Sequence, residues 1–193
     1  HTLQAVEVSF HAVERARRAY GVEWRAREGF SLTYLPFVAR AVCLALARYP
    51  QINSRFADDS LIVHKRVHLG IAVDLSFEGL VAPVVRDAHR QNLPGLALQM
   101  HGLAEKARRG TLGADHYAGG TYTLSNSGSF GTLISAPIIH QPQTAILSID
   151  GVSKKTMVVE GAEGDSIVIR PVGVLAQSFD HRAFDGAYSA SFL

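Results

Sequence analysis

Residues 33–50 contain a helical pattern that is apolar on nearly every side. One face repeats at the three- and four-residue spacing of an α-helix and consists of Leu35, Val38, Ala39, Val42 and Leu46. We expect Ser31 or Thr33 as the N-cap, and Pro50 ends the pattern. A helix that is apolar all round is buried on most sides. This one is therefore expected to pack against a sheet at the centre of the core.

The other patterned segments predict the sheet and two more helices. Apolar residues alternate with polar ones, or form short runs, at residues 2–10, 60–76, 80–85, 121–125, 144–149 and 167–177, which are the expected strands. Residues 11–27 predict an exposed helix, and residues 93–109 predict an amphipathic one with Met100 in the core. A turn is expected at 161–165. Strands interleaved with helices indicate a mixed α/β, or α+β, two-layer sandwich with helices covering the sheet.

Composition narrows the class of protein. A chain of 193 residues with 47% apolar and 19% charged residues is typical of one globular domain. No apolar run reaches the roughly 18 residues of a membrane span, so no membrane partner is expected. The net charge is only +2 and the basic residues are dispersed, which disfavours nucleic acid as a partner. The single cysteine, Cys43, excludes an internal disulfide, is expected in the core, and fits a reducing compartment.

The strongest candidate for catalysis lies near the end of the chain. His181 sits between Asp180 and Arg182, follows an apolar strand and precedes a turn at Gly186. A neutral imidazole with a pKa of about 6.5 can accept a proton near pH 7, so His181 is a candidate general base. The alternative is that Asp180 and Arg182 form a surface ion pair around an inert loop histidine.

A second candidate is Ser125, at the end of a strand that leads into a glycine-rich loop. A hydroxyl in that position can donate a hydrogen bond to developing negative charge, although a simple Gly/Ser turn explains the loop equally well. The patterns of a phosphate-binding loop and of a serine hydrolase are absent from the sequence. His64 and His68 are four residues apart on a predicted strand, which separates them, so no metal site is expected.

The residues of both motifs resemble those of a known family. The matching blocks are Asp180-His181-Arg182 with Asp185-Gly186, and Gly119 to Asn126 with Gly128, Phe130-Gly131, Ala136-Pro137 and residues 141–147. They resemble the catalytic domain of dihydrolipoamide acyltransferases, the core subunits of 2-oxo acid dehydrogenase complexes. Further likeness at residues 1–2 and 32–54 extends the resemblance over nearly the whole chain.

The resemblance implies a fold, a reaction and roles for three residues. The fold is that of chloramphenicol acetyltransferase, and the working unit is a homotrimer. His181 matches the catalytic histidine, Ser125 the hydroxyl that assists the tetrahedral intermediate, and Asp185 the residue that organises the loop, with histidine and hydroxyl supplied by adjacent subunits. Coenzyme A is the acceptor substrate, and the donor is a lipoyl group carried on a separate domain. No contact residues for either substrate are assigned.

The resemblance also implies a larger context. Residues 1–193 are expected to form the catalytic domain of a longer protein, without the final helix and without upstream lipoyl and peripheral-subunit-binding domains. Those domains would bring decarboxylase and dihydrolipoamide dehydrogenase subunits as partners. A cubic or dodecahedral core is in doubt because the final helix is missing. The expected compartment is the cytoplasm, or the mitochondrial matrix in a eukaryote.

The acyl group and two rival functions stay open at this level. Small side chains at Ser135-Ala136 favour a branched acyl group over acetyl, with succinyl third. His140-Gln141 departs from the family's commoner Asn-Pro beside the substrate. One rival is a non-catalytic structural core subunit, which an intact histidine motif disfavours. The other is a free-standing chloramphenicol-type acetyltransferase, which the 119–139 block disfavours and which an upstream lipoyl domain would exclude.

Overall fold

A computed structural model describes residues 1–162 and 164–193 of the chain. The turn predicted at 161–165 includes residue 163, which lies outside the described residues. The helices are α1 His11–Glu28, α2 Leu35–Arg48, α3 Leu93–Arg108 and α4 Gly186–Phe192. The strands are β1 Thr2–Ser9, β2 Ser54–Ala57, β3 Ser60–Val63, β4 Leu69–Ile71, β5 Val73–Asp74, β6 Leu80–Val81, β7 Val84–Val85, β8 Tyr122–Asn126, β9 Ala145–Ile149, β10 Ser153–Val159 and β11 Ser166–Phe179.

The main sheet is mixed and is organised around its longest strand. Its order is β1-β11-β9-β8-β4-β7, and β10 pairs with the first half of β11. Strand β11 runs antiparallel to β1, β9 and β10, whereas β8 runs parallel to both β9 and β4. Strands β2 and β3 form a separate hairpin, as do β5 and β6. The predicted combination of a mixed sheet with helices is confirmed.

Helix α2 packs in the core, as its sequence predicts, but one side of it, with Ala41 and Leu44, is exposed. Its residues Val38, Val42 and Leu46 are buried in one cluster with the strand residues Leu124 and Leu147. Cys43 and Met100 belong to the same cluster, which confirms both as core residues. At about 1.5–3 kcal/mol for each fully buried apolar side chain, this cluster is the main source of stability.

The predicted N-cap of α2 is wrong. The residue before the helix is Tyr34, which makes no side-chain cap bond, so neither Ser31 nor Thr33 fills that position. The Tyr34 hydroxyl instead donates a hydrogen bond of 2.7 Å to Glu14 Oε2 on α1. The start of α2 is thus tied to α1 by a tertiary contact and has no side-chain cap.

A buried polar chain fixes the end of β11 against α4. The Tyr122 hydroxyl donates to Gln177 Oε1 at 2.7 Å, and Gln177 Nε2 donates to the Ser189 hydroxyl at 2.9 Å. All three residues are fully buried. Because buried polar groups are costly when unpaired, the chain ties together β8, β11 and the first turns of α4. The segment between β11 and α4, which carries His181, is held at both of its ends.

Candidate active site

His181 lies in the turn that follows β11, and its side chain is exposed. The turn begins where Asp180 N–H donates to the Thr144 carbonyl at 2.8 Å and closes where Ala183 N–H donates to the Asp180 carbonyl at 2.9 Å. The His181 ring packs against the Phe179 ring with 5.7 Å between centroids. The imidazole is thus presented at the surface of a single chain rather than enclosed within it.

The charged neighbours of His181 pair with each other. Arg182 donates to both carboxylate oxygens of Asp180, at 2.6 Å from Nη2 to Oδ2 and 3.0 Å from Nε to Oδ1. The hydrogen bond from Arg182 lowers the pKa of Asp180 below its ordinary value. The surface ion pair foreseen as the alternative is therefore present, and it leaves the imidazole beside it without a charged partner among the described hydrogen bonds and ion pairs.

Asp185 caps the helix that follows. Its Oδ1 accepts the Tyr188 N–H at 2.9 Å, and its extended backbone is typical of an N-cap residue. No described hydrogen bond joins Asp185 to His181, although they are four residues apart. The predicted role of Asp185 in organising this loop has a physical basis in the cap.

Ser125 lies near the end of β8 and is half-buried. It faces Ser148 on β9 in the strand register, and β8 ends one residue later. The loop then makes a short helical turn at Gly128–Phe130. A Cβ at Gly128 would lie 3.0 Å from the Asp150 carbonyl oxygen, so the backbone passes close to the end of β9 and favours glycine there.

The strand register places Ser125 and His181 at opposite ends of the sheet. Ser125 faces Ser148, Ser148 faces Ala176, and His181 lies five residues beyond Ala176 on β11 and its turn. With a rise of about 3.3 Å per residue and two strand spacings of about 4.8 Å, more than about 15 Å separates the two side chains. A single chain does not bring the two candidate catalytic groups together.

Asp150 is a prominent polar residue of this region that the sequence reasoning missed. It follows β9, is 1% exposed, and accepts hydrogen bonds from Ser127, Thr132 and Ser135 in the loop after β8. In the sequence it is a lone aspartate after an apolar strand, a pattern typical of a loop start. Its only signal was that the loop following β8 is rich in hydroxyl side chains.

A cleft of about 490 Å³ opens beside the loop after β8. It is lined by Asp74, Met100, His101, Arg108, Asn126 and Phe130, among others. The rings of Phe30 and His101 stack at 3.8 Å and form part of its wall. A separate polar cavity of about 320 Å³ lies at the other end of the sheet, against the Asp180–Arg182 pair, His1 and Gln143.

His64, His68 and Cys43 have structural surroundings. His68 Nδ1 accepts the Asp87 N–H at 2.9 Å, and burial lowers the pKa of both His64 and His68. Burial raises the pKa of Cys43 to about 11, so its thiol stays protonated near pH 7. Among the described residues, no three His, Cys, Asp or Glu side chains are grouped as metal ligands. Within the same residues, no helix has the length and apolar character needed to cross a membrane.

Comparison with known sequences gives relatives from three kinds of complex. The family model for the catalytic domain of 2-oxoacid dehydrogenases acyltransferase matches residues 1–193. The succinyltransferase component of the Haemophilus influenzae 2-oxoglutarate dehydrogenase complex is 36% identical over 187 residues, covering 97% of this chain and 44% of that protein. The Bacillus subtilis branched-chain component is 36% identical, covering 100% and 45%. The Mycobacterium tuberculosis pyruvate dehydrogenase acetyltransferase component is 39% identical, covering 98% and 35%.

Solved structures agree in fold. The Azotobacter vinelandii dihydrolipoamide acetyltransferase, studied for the catalytic roles of a serine, a histidine and an asparagine, gives a TM-score of 0.90 at 34% identity, covering 99% of this chain and 77% of that one. The cubic core of a pyruvate dehydrogenase multienzyme complex gives 0.90 at 33% identity, with the same shares covered. Chloramphenicol acetyltransferase gives 0.62 at 15% identity, covering 99% and 84%. At that identity the likeness concerns the fold alone, and it confirms the fold that the motifs implied.

The histidine and asparagine of the Azotobacter protein are four residues apart, as His181 and Asp185 are here. The chain spans less than half the length of the curated relatives it matches. From the family match over every residue, the sequence identities and the shared fold, the chain belongs to the 2-oxoacid dehydrogenase acyltransferase family, and it corresponds to that family's catalytic domain.

Proposed function

We propose that this domain transfers an acyl group from S-acyldihydrolipoyl to coenzyme A, with His181 as general base and Ser125 as a hydrogen-bond donor. The observation that carries this proposal is the division of the site between the two ends of the sheet. One end presents an exposed imidazole, and the other presents a half-buried hydroxyl beside a cleft. Each end is half of a site that a neighbouring copy completes.

The chemistry needs only these two groups and two bound thiols. A thiol has a reference pKa of about 8.5, so it is mostly protonated at neutral pH and gains from a neutral imidazole within hydrogen-bond reach. His181 takes the proton of coenzyme A as the sulfur attacks the thioester carbonyl. The carbonyl oxygen becomes an oxyanion and accepts a hydrogen bond from Ser125. Collapse breaks the bond to the dihydrolipoyl sulfur, which takes the proton back from His181, and the enzyme itself is never acylated.

Exposed apolar side chains around the Ser125 loop support association of copies. Phe77 is 87% exposed and packs against Phe130 at 6.0 Å between ring centroids. Leu133 and Ile138, further along the segment, are 68% and 84% exposed. Apolar side chains grouped in this way commonly mark a protein interface. A homotrimer with head-to-tail contacts closes into a ring and gives each His181 a Ser125 from the next copy.

The cleft beside Asn126 suits coenzyme A. Its volume of about 490 Å³ is within the range of small-molecule sites, and Arg108 supplies a positive charge for an anionic ligand. The opposite end, with the polar cavity beside Asp180 and Arg182, would complete the site in the assembled ring. Asp185 would act there by holding the start of α4 and, with it, the position of the His181 turn.

The wider biological setting is part of the proposal. A catalytic core of this kind would work in a multienzyme complex with decarboxylase and dihydrolipoamide dehydrogenase subunits. Trimers of the longer protein would join into a cubic or dodecahedral core. The lipoyl group would arrive on a separate domain. A cytoplasmic location, or the mitochondrial matrix in a eukaryote, accords with those partners. For the acyl group we retain the order branched-chain, acetyl, succinyl.

Complementation between two inactive variants tests the shared site. His181→Ala and Ser125→Ala chains would be coexpressed with different affinity tags, and mixed trimers isolated by sequential purification. In each mixed trimer one of the three interfaces pairs an intact His181 with an intact Ser125, so activity should return to about one third of the wild-type rate. Each variant assembled with itself is the control. Mixed trimers that stay as inactive as the controls would place both groups in one chain and contradict the proposal.

A further inference from the structure

The residue Asp150 and the hydroxyls of Ser127, Thr132 and Ser135 form a compact group that we call the Asp150 cluster. Asp150 Oδ1 accepts from Ser127 Oγ at 2.8 Å, Thr132 Oγ1 at 2.7 Å and Ser135 Oγ at 2.6 Å. Its Oδ2 accepts the Ser135 N–H at 3.1 Å. One carboxylate at the end of β9 thus holds the loop that follows Ser125 at three points along its length.

The cluster carries a buried negative charge. Burial by itself would raise the pKa of Asp150, but the hydrogen bonds from Ser135, Thr132 and Ser127 outweigh it and leave the pKa below its ordinary value. In the part of the chain that the structure describes, no Lys, Arg or His forms an ion pair with Asp150. Hydroxyl groups stabilise the charge without cancelling it, so a negative potential extends into the surroundings.

The hydroxyls of the cluster are also oriented. Each hydroxyl has one hydrogen, and the shortest hydrogen bond of each of the three is the one to Asp150 Oδ1. Their hydrogens therefore point toward the carboxylate, and what they present elsewhere is lone pairs. A loop rich in serine and threonine, which by composition alone suits an anion, is here arranged to repel one.

The cluster lies next to the position where the acyl group would sit. Ser125 faces Ser148, and Asp150 is two residues further along the same strand direction. Ser127 contacts both Ser148 Oγ, at 3.3 Å, and Asp150. Two residues of strand span about 6–7 Å. An acyl chain that extends from the Ser125 hydroxyl toward the cluster has its far end within about 10 Å of this carboxylate.

We propose that the Asp150 cluster selects uncharged acyl groups and rejects acyl groups that end in a carboxylate, such as succinyl. The inference rests on the function proposed above and adds its substrate class. Two negative charges about 8 Å apart repel strongly enough, at the effective dielectric constant of about 20 typical of proteins, to reduce the rate about ten- to a hundredfold. The selection acts on the charge of the acyl group and not on its size.

The first test uses the unmodified protein and a matched pair of donors. Succinyl-dihydrolipoamide and its neutral amide, succinamoyl-dihydrolipoamide, have nearly the same shape and differ in charge. We expect kcat/KM for the amide to exceed that for succinyl about ten- to a hundredfold, and isobutyryl and acetyl donors to be used. Equal kcat/KM for the two members of the pair would overturn the inference. Failure of every donor would instead contradict the proposed function.

The second test removes the charge. Asp150→Asn should bring the succinamoyl-to-succinyl ratio of kcat/KM to within about threefold of one, because an amide keeps the shape without the repulsion. Asp59→Asn, which removes an exposed carboxylate from the β2–β3 turn, should leave the ratio as in the wild type. Turnover of isobutyryl donor reports whether the loop after β8 is still formed in the Asp150→Asn variant. An unchanged ratio in a variant that still uses isobutyryl would overturn the inference; if that variant is inactive, the wild-type pair of donors decides it.

Discussion

The two ends of the main sheet hold their candidate catalytic groups in different ways. At the His181 end, the turn is fixed by backbone hydrogen bonds, the Asp185 cap and the buried chain through Gln177, and the imidazole itself stays exposed. At the Ser125 end, a buried carboxylate at Asp150 draws the loop inward. A group that moves protons needs access, whereas a group that stabilises charge needs a fixed direction. The comparison predicts that activity and stability will respond differently to substitutions at the two ends.

Removing the imidazole should give the largest loss of activity and the smallest change in stability. His181→Ala is expected to lower kcat about a thousandfold or more, because general-base catalysis contributes about two to four powers of ten. The side chain is exposed, so the melting temperature and the mass of the assembly by light scattering should stay near wild type. His11→Ala, at the start of α1, is the matched control. Turnover close to normal in a thioester assay would remove His181 from the mechanism.

The hydroxyl at the other end should matter somewhat less. Ser125→Ala is expected to lower kcat by about two to three powers of ten with little change in KM, since an oxyanion donor acts mainly in the transition state. Ser153→Ala, on the exposed start of β10, controls for loss of a strand hydroxyl. If kcat is unchanged while the protein is fully folded, Ser125 is not the donor.

The sequence predicted much of the sheet and three helices because burial leaves a periodic pattern. Strands β1, β8, β9 and β11 and helices α1 to α3 fall within a few residues of their predicted bounds. Strand β10 was missed because the first half of its sequence, SKKT, is polar, and its pairing with β11 supplies the order that its own pattern lacks. Trp24 was hidden in a charged helix, yet it is buried against Leu32 and Ala97.

The candidate site was predictable in part. The motif residues identified His181, Ser125 and Asp185 as candidates. The apolar segments that precede Ser125 and His181 predicted the strands that lead to them. Their separation was not predictable from those patterns, because it depends on β9 lying between β8 and β11. Asp150 was equally hidden, since its hydroxyl partners are 15 to 23 residues away along the chain. Local patterns report burial, whereas a site built from distant segments depends on strand order.

At the His181 end, two substitutions of the cap residue Asp185 separate the effects of its charge and of its hydrogen bond on stability. Asp185→Ala should destabilise the domain by about 1 kcal/mol, because it leaves the Tyr188 N–H without its acceptor. Asp185→Asn should restore stability, since asparagine caps as well as aspartate does. Urea unfolding at neutral pH measures both. If Asp185→Ala is as stable as the wild type, the cap does not hold the turn, and the contrast between the two ends loses one of its supports.

At the Ser125 end, acid should reveal the charge of Asp150. Its pKa is lowered in the folded state, so its contribution to stability is complete above the ordinary carboxyl pKa of about 3.9 and is lost as the pH falls through the lower folded value. The wild type should therefore lose melting temperature below about pH 4 more steeply than Asp150→Asn, which has no proton to bind at that position. Asp180 has a lowered pKa as well, but it is paired at the surface with Arg182, where solvent screens the interaction. Asp180→Asn should therefore flatten the dependence of melting temperature on pH less than Asp150→Asn does. Melting curves from about pH 2.5 to 6 compare the three proteins directly. If Asp180→Asn flattens the pH dependence of the melting temperature more than Asp150→Asn does, the loop whose stability depends on charge is not at the Ser125 end.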